Sequence, residues 1–159
     1  MVAGESKAIE TVRQTLEEYA HKGVFRKLTF AEHGSGISAS FDWLSKLRPF
    51  HFRVDLAQNT LSFEDFFPTF PPEVERDSLQ LLNRFADPET PAHRRIDPEK
   101  AELMIAIEED GAASLVLELR GDDFEYGVRR LINVVNEFYH SLQVTNAEYS
   151  FHAFGGFEE

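Results

Sequence analysis

The sequence has 159 residues, of which 42% are hydrophobic, and its 28 acidic and 16 basic side chains give a formal net charge of −12. It contains no cysteine, so a disulfide framework, a thiol nucleophile and a thiolate metal site are excluded. The length predicts a single domain over 1–159, and the acidic balance disfavours a nucleic-acid partner, because the phosphate backbone would repel the protein.

The first predicted element is a helix over 6–22. Ile9, Val12 and Leu16 recur there at spacings of three and four, which places them on one face of the helix. Neither this segment nor any later one contains an apolar run long enough for a signal peptide or a membrane span. We therefore expect a cytoplasmic protein without a membrane partner.

Four strands are predicted next, over 24–30, 37–43, 50–56 and 60–66. In the second and third of them, apolar and polar residues alternate, a pattern typical of antiparallel strands with one buried and one solvated face. Prolines follow the fourth strand, and they end it because proline cannot donate a hydrogen bond to a neighbouring strand.

The second half of the chain alternates helices with strands. The dipeptide Asp110-Gly111 is a hairpin signal, and Asp122 is placed to cap a long amphipathic helix, with Glu125 completing a capping box. The predicted elements are a helix over 72–86, an irregular segment over 87–100, strands over 102–109 and 113–120, a helix over 123–142 and a last strand over 147–154.

The helix over 72–86 begins after a pair of prolines, which suit a first helical turn because its amides have no partner within the helix. We expect Val74, Leu79, Leu82 and Phe85 to share its buried side.

Together these elements predict an α+β fold in which an antiparallel sheet is flanked by three helices, in the order helix, strands, helix, strands, helix. The chain after the last element contains Gly155-Gly156. We expect a disordered tail over 154–159.

This order resembles that of the YbjN family, whose members share the type III secretion chaperone-like fold. The similarity lies in a strand ending in VDL (54–56), a helix carrying LQLLNRF (79–85), the segment RRIDPEKAEL (94–103) leading into a hairpin, and the long helix over 123–142. The resemblance implies a small, acidic, non-enzymatic protein that binds other proteins. It also implies a homodimer, because chaperones of this fold are commonly dimers that hold extended segments of a client.

No residues in the sequence form a catalytic or metal-binding motif. The six histidines make no H-x-x-x-H or H-x-x-E-H pattern. The single G-x-G, Gly34-Ser35-Gly36, lies between two predicted strands, where no helix N-terminus follows to bind a phosphate. We therefore predict no catalytic residue, no cofactor and no metal.

The segment LSFEDFFPTFPP (61–72) concentrates aromatic rings beside prolines. One interpretation is that the rings cap the core between the sheet and the helix over 72–86, since large rings are normally buried. The other is that one or two of them line a groove or a subunit contact. The candidate protein-binding residues are Phe63, Phe66, Phe67 and Phe70.

Three functions follow from these observations. The preferred hypothesis is a non-enzymatic protein-binding module, a chaperone-like protein or regulatory adaptor, which forms a homodimer and binds a protein client. The alternative is a carrier of a small apolar ligand or lipid, with a cavity between the sheet and the long helix. A third hypothesis is a hydrolase or isomerase that uses His51, Arg53 and Asp55, which share one strand face.

Overall fold

The computed structural model describes residues 3–155. Within this range the elements are α1 (Ala3–His21), β1 (Arg26–His33), β2 (Gly36–Asp42), β3 (Phe50–Asp55), β4 (Thr60–Phe67), α2 (Pro72–Ala86), β5 (Ala101–Ile107), β6 (Ala113–Leu119), α3 (Phe124–Thr145) and α4 (Ala147–Phe154).

The strands form one six-stranded sheet in the order β1-β2-β3-β4-β6-β5. Each pair of neighbours is antiparallel. The predicted α+β class is confirmed, and the three predicted helices occur in the predicted order among the strands. The described chain has four helices rather than three, because the last predicted strand is a helix.

One face of the sheet carries the core. Phe30, Ala39, Phe52, Phe63 and Leu115 occupy successive positions of a single cross-strand row. All but the first, which lies on the edge strand β1, are buried. The opposite face is polar and is open to solvent along β3. The alternation read from the sequence therefore places the apolar side chains on the face that the helices cover.

Helix α3 is the central helix of the layer that packs on this face. Leu131 and Val135 are fully buried along it, and the ring of Phe138 lies 6.1 Å from that of Phe67 on β4 and 6.0 Å from that of Phe85 on α2. Burying each large apolar side chain is worth about 1.5–3 kcal/mol. This stripe therefore joins the sheet to the helical layer.

The segment over 147–154 is the helix α4, so the strand predicted there is wrong. Its buried residues are Ser150, Ala153 and Phe154, which follow helical spacing. The ring of Phe154 lies 5.2 Å from those of Phe66 and Tyr139. The predicted tail therefore cannot begin at Phe154, which is a core residue, and the rest of that tail over 156–159 lies outside the described residues.

The capping residue of α3 and one buried position of α2 each lie one or two residues away from the residue predicted. The cap of α3 is Asp123, whose Oδ1 accepts a hydrogen bond from the amide of Tyr126 at 3.1 Å, and not Asp122. In α2, Leu81 is buried while Leu79 is 43% exposed.

The buried positions of α2 explain the second displacement. They are Val74, Ser78, Leu81 and Phe85, so the packed stripe passes through a serine. A prediction that follows apolar residues alone selects the leucine beside that serine.

Candidate protein-binding site

The predicted aromatic residues lie mostly inside the protein. Phe63, Phe66 and Phe67 are buried in the core, and Phe70 is half-buried with its ring 4.7 Å from that of Phe67. Their burial fits the interpretation in which the rings cap the core. The other interpretation, in which the rings line a groove or a subunit contact, is wrong for Phe63, Phe66 and Phe67, because a side chain without exposed surface cannot contact a partner.

A β-bulge explains how consecutive phenylalanines can both be buried. The register between β4 and β6 shifts between Phe63 and Phe67, and Asp65 has a positive φ of 53°. The Asp65 amide donates to the hydroxyl of Ser114 at 2.9 Å. Because a bulge adds a residue to one strand, it breaks the alternation that would turn Phe66 away from the core.

The predicted polar face of β3 exists, but its acid has a structural role. His51 lies opposite Glu64, and Arg53 lies opposite Ser62. Asp55 Oδ1 accepts hydrogen bonds from the amides of Ala57 and Gln58, at 3.0 and 3.1 Å, and thereby caps the turn that leads into β4. In 3–155, no group of three or more histidine, aspartate or glutamate side chains is placed to hold a metal ion.

Gly36, in the only G-x-G, has a packing role where β2 begins. A Cβ atom added to it would lie 1.9 Å from the carbonyl oxygen of Val54. Only glycine allows this approach of two backbones. The interpretation of this motif as a loop between strands holds for Gly34 and Ser35, which form the turn between β1 and β2, whereas Gly36 is the first residue of β2.

The aromatic core has consequences for the carrier alternative. The rings of Phe25 and Phe41 stack at 4.0 Å, and those of Phe52 and Phe63 meet at 5.4 Å. Between the sheet and the long helix, the ring of Phe67 packs against that of Phe138 at 6.1 Å. Rings that pack against one another in this way occupy space that a ligand cavity would need. No specific observation in the described residues favours a carrier.

The two edges of the sheet differ in how well they are protected. The edge strand β1 carries charged residues at both ends, Arg26 and Lys27 at one and Glu32 at the other, and Arg13 of α1 crosses to it and pairs with Glu32 at 2.7 Å. It also contains a register shift after Arg26, at Lys27, whose φ is 58°. Charges, bulges and covering side chains are the devices that prevent an edge strand from pairing with another chain.

The edge strand β5 lacks these devices. It pairs with β6 through seven successive positions without a register shift. Its only charged residue is Glu102, and the following residues, LMIAI over 103–107, are all apolar. Ile107 is 59% exposed. A regular, apolar edge of this kind is able to pair with a further strand.

The free backbone groups of β5 can be assigned from its pairing with β6. The Arg120 amide donates to the Lys100 carbonyl at 2.9 Å, and the Glu108 amide donates to the Ala112 carbonyl at 2.7 Å. Because hydrogen-bonded pairs alternate along an antiparallel ladder, the even-numbered residues face β6. The amide and carbonyl groups of Leu103, Ile105 and Ile107 therefore face outward.

An apolar groove lies beside this edge. The groove has a volume of about 340 Å³. It is lined by helix α2, by the segment before β5 and by the first residues of that strand. The outward-facing residues of β5 have their side chains on this same side of the sheet. The apolar residues lining the groove are Leu82, Phe85, Ala86, Ile96, Pro98, Ala101 and Leu103.

The sequence predicted that β5 is a strand but did not indicate that it lies at an edge of the sheet. The sheet order places β6 between β4 and β5, although β5 comes first in the chain. No local pattern specifies that order. The available signal was the apolar run over 103–107, which lacks the polar alternation of β2 and β3.

Comparisons of the chain with protein-family models, with curated proteins and with solved structures gave no match. Among the described helices, none combines the length and the apolar character needed to cross a membrane.

Proposed function

We propose that the chain is a non-enzymatic protein-binding module, a chaperone-like protein or adaptor, that forms a homodimer through β5. The observation that carries the proposal is the contrast between the two sheet edges. Strand β1 is bulged, carries charged residues at both ends and is crossed by Arg13, whereas β5 is regular and apolar and lies beside a groove. Both the resemblance to the YbjN family and a cytoplasmic location are part of this proposal.

A second copy fits the edge best when the two β5 strands run antiparallel around Met104. Leu103 then faces Ile105 of the second copy, and the outward amide of each residue donates to the outward carbonyl of the other. Glu102 faces Ala106 of the second copy, so no like charges meet. Lys100, before the strand, comes opposite the acidic Glu108 of the second copy, and its ammonium can pair with that carboxylate by moving from the ring of Tyr126, 4.7 Å away. The two-fold axis repeats this pair.

Other registers are less favourable. The residues whose backbone groups face outward alternate along β5, so they oppose each other across the two copies only if the pairing shifts by two residues at a time. Such a shift moves the two-fold axis by one residue. A two-fold axis at Ile105 sets Glu102 opposite Glu108 of the second copy, which is a repulsive pair. An axis at Leu103 sets Lys100 opposite Ala106 and loses the opposite-charge pair. Among these three axes, only the one at Met104 avoids opposing glutamates and also sets Lys100 opposite Glu108.

In this arrangement the groove between α2 and β5 flanks the joined strands in both copies. A protein client is expected to insert apolar side chains there, because the lining is mostly apolar. The net charge of −12 favours clients that are basic around their apolar residues.

The decisive experiment uses the absence of native cysteine. In Met104→Cys, the two thiols of a dimer face each other in a non-hydrogen-bonded pair, about 4.5 Å apart between Cα atoms, which suits a disulfide. Mild oxidation is expected to give a cross-linked dimer at low protein concentration. In the control Ala106→Cys, the two cysteines stand roughly 13 Å apart along the strands and are expected to remain reduced.

Sedimentation of a second pair of variants tests the backbone contact. Ile105→Pro removes an outward amide, while Ile105→Ala truncates the same side chain and keeps that amide. We expect Ile105→Pro to weaken dimerisation at least tenfold more than Ile105→Ala. A wild-type chain that stays monomeric at high concentration, or equal cross-linking of both cysteine variants, contradicts the proposal.

A further inference from the structure

A basic corner stands out on this acidic protein, at the end of the sheet where β1 begins and β2 ends. It surrounds an open depression of about 390 Å³. The lining residues include four basic side chains and a single carboxylate, that of Asp42, which lies 3.7 Å from the exposed ammonium of Lys27. The basic corner consists of Arg26, Lys27, Trp43, Lys46, Leu47 and Arg48.

The backbone at Lys27 is strained in a way that serves this corner. Its φ of 58° lies in the left-handed region, and the register between β1 and β2 shifts at this point. A residue other than glycine pays about 1–3 kcal/mol for such a conformation. The bulge places two consecutive basic residues, Arg26 and Lys27, at the rim of the depression.

The loop that carries the other two cations is held in place. The hydroxyl of Ser45 accepts hydrogen bonds from the amides of Leu47 and Arg48, at 3.2 and 3.4 Å. The Lys46 amide donates to the carbonyl of Phe154 at 2.8 Å. The buried end of α4 therefore fixes the position of this loop.

Arg48 is half-buried and forms no ion pair with an acidic residue of the described chain. One terminal nitrogen donates to the Phe66 carbonyl at 2.8 Å, while the buried Nε has no hydrogen-bond partner. Burial lowers the pKa of this guanidinium. A half-buried cation of this kind gains stability from an anion beside it.

The corner also has apolar surface. Leu47 is 60% exposed, and the indole of Trp43 lines the same depression. We propose that the basic corner binds a phosphate monoester, with its phosphate between Lys27 and Arg48 and its organic part on Trp43 and Leu47. Arginine and lysine together suit a dianionic phosphate, and an aromatic or aliphatic group covers the exposed apolar surface.

The single tryptophan of the chain reports on this site directly. Titration with phenyl phosphate at low salt is expected to change Trp43 fluorescence to saturation, with a dissociation constant that rises as salt is added. Inorganic phosphate is expected to bind several-fold more weakly, because it lacks the organic part. No change in fluorescence, or equal binding of the two compounds, overturns the proposal.

Two variants and a control separate binding from folding. Arg48→Gln is expected to weaken binding of phenyl phosphate about tenfold, the usual effect of losing a hydrogen bond to a charged group. Lys27→Gly is expected to weaken binding similarly while unfolding at no lower temperature than the parent, because glycine accepts the positive φ. Arg53→Gln removes a cation from the open face of β3 and is expected to bind normally. Unchanged binding by Lys27→Gly contradicts the assignment.

Discussion

Asn59 and Leu119 are joined by two hydrogen bonds, one donated by each residue. The side-chain amide of Asn59 donates to the Leu119 carbonyl at 2.8 Å, and the Leu119 amide donates to the Asn59 carbonyl at 2.9 Å. The same side chain also donates to the carbonyl of Gly121 at 2.9 Å. The turn between β3 and β4 is thereby joined to the end of β6 and to the short segment that leads into α3.

Substitution of Asn59 tests this connection. Asn59 has a φ of 57°, so Asn59→Ala loses two hydrogen bonds and adds backbone strain, for a loss of about 2–3 kcal/mol in the free energy of unfolding. Asn59→Gly loses the same bonds without the strain and is expected to cost about 1–2 kcal/mol. Urea denaturation measures both, and equal losses would show that the strain is absent.

Leu131→Asp tests the stripe of α3. Leu131 is fully buried, and an unpaired carboxylate in that position loses its hydration without compensation. We expect a loss of at least 3–5 kcal/mol, enough to unfold a domain of ordinary stability. Leu131→Met preserves volume and is expected to cost less than about 1.5 kcal/mol. Circular dichroism during thermal unfolding compares them, and parental melting of Leu131→Asp would exclude a core role.

Phe154→Ala tests whether α4 belongs to the core. The ring of Phe154 is buried against Phe66 and Tyr139, so its removal is expected to cost about 3–5 kcal/mol. Phe151→Ala, on the same helix, removes a ring that is 61% exposed and is expected to change stability by less than about 0.5 kcal/mol. Similar unfolding midpoints in urea for the two variants would contradict the packing of α4.

The ion pair between Glu18 of α1 and Arg129 of α3 predicts a pH dependence. The hydrogen bond from Arg129 lowers the pKa of Glu18 below its usual value. A lowered pKa contributes stability that is present above the unfolded pKa, about 4.3, and is lost as the pH falls through the folded value.

Glu18→Gln is therefore expected to be less stable than the parent at neutral pH, with a difference that narrows as the pH falls below the unfolded pKa of about 4.3 and closes below the folded pKa. Glu17→Gln removes the same charge from the adjacent, exposed position and serves as the control. Urea midpoints across this pH range check the prediction, and a Glu18→Gln difference that persists at low pH would refute it.

Most of the elements followed from the sequence because their signals are local. The alternation in 37–43 and 50–56 predicted β2 and β3, and the four-three repeat of apolar residues predicted α3. The segment over 147–154 was misassigned because aromatic residues there fit both the strand period and the helix period. Its burial against Phe66 selects the helix, and that contact is remote in sequence.

The candidate sites depended on tertiary structure. The sequence by itself determined the α+β class, the acidic surface and the absence of thiol chemistry, since each follows from composition or short-range spacing. Only the folded chain decided that Phe66 and Phe67 turn inward at a bulge, that β5 is an edge, and that Lys27 and Arg48 line the same depression. The physical reason is that strand order, bulges and surface clusters arise from contacts between distant segments, which leave no periodic pattern along the chain.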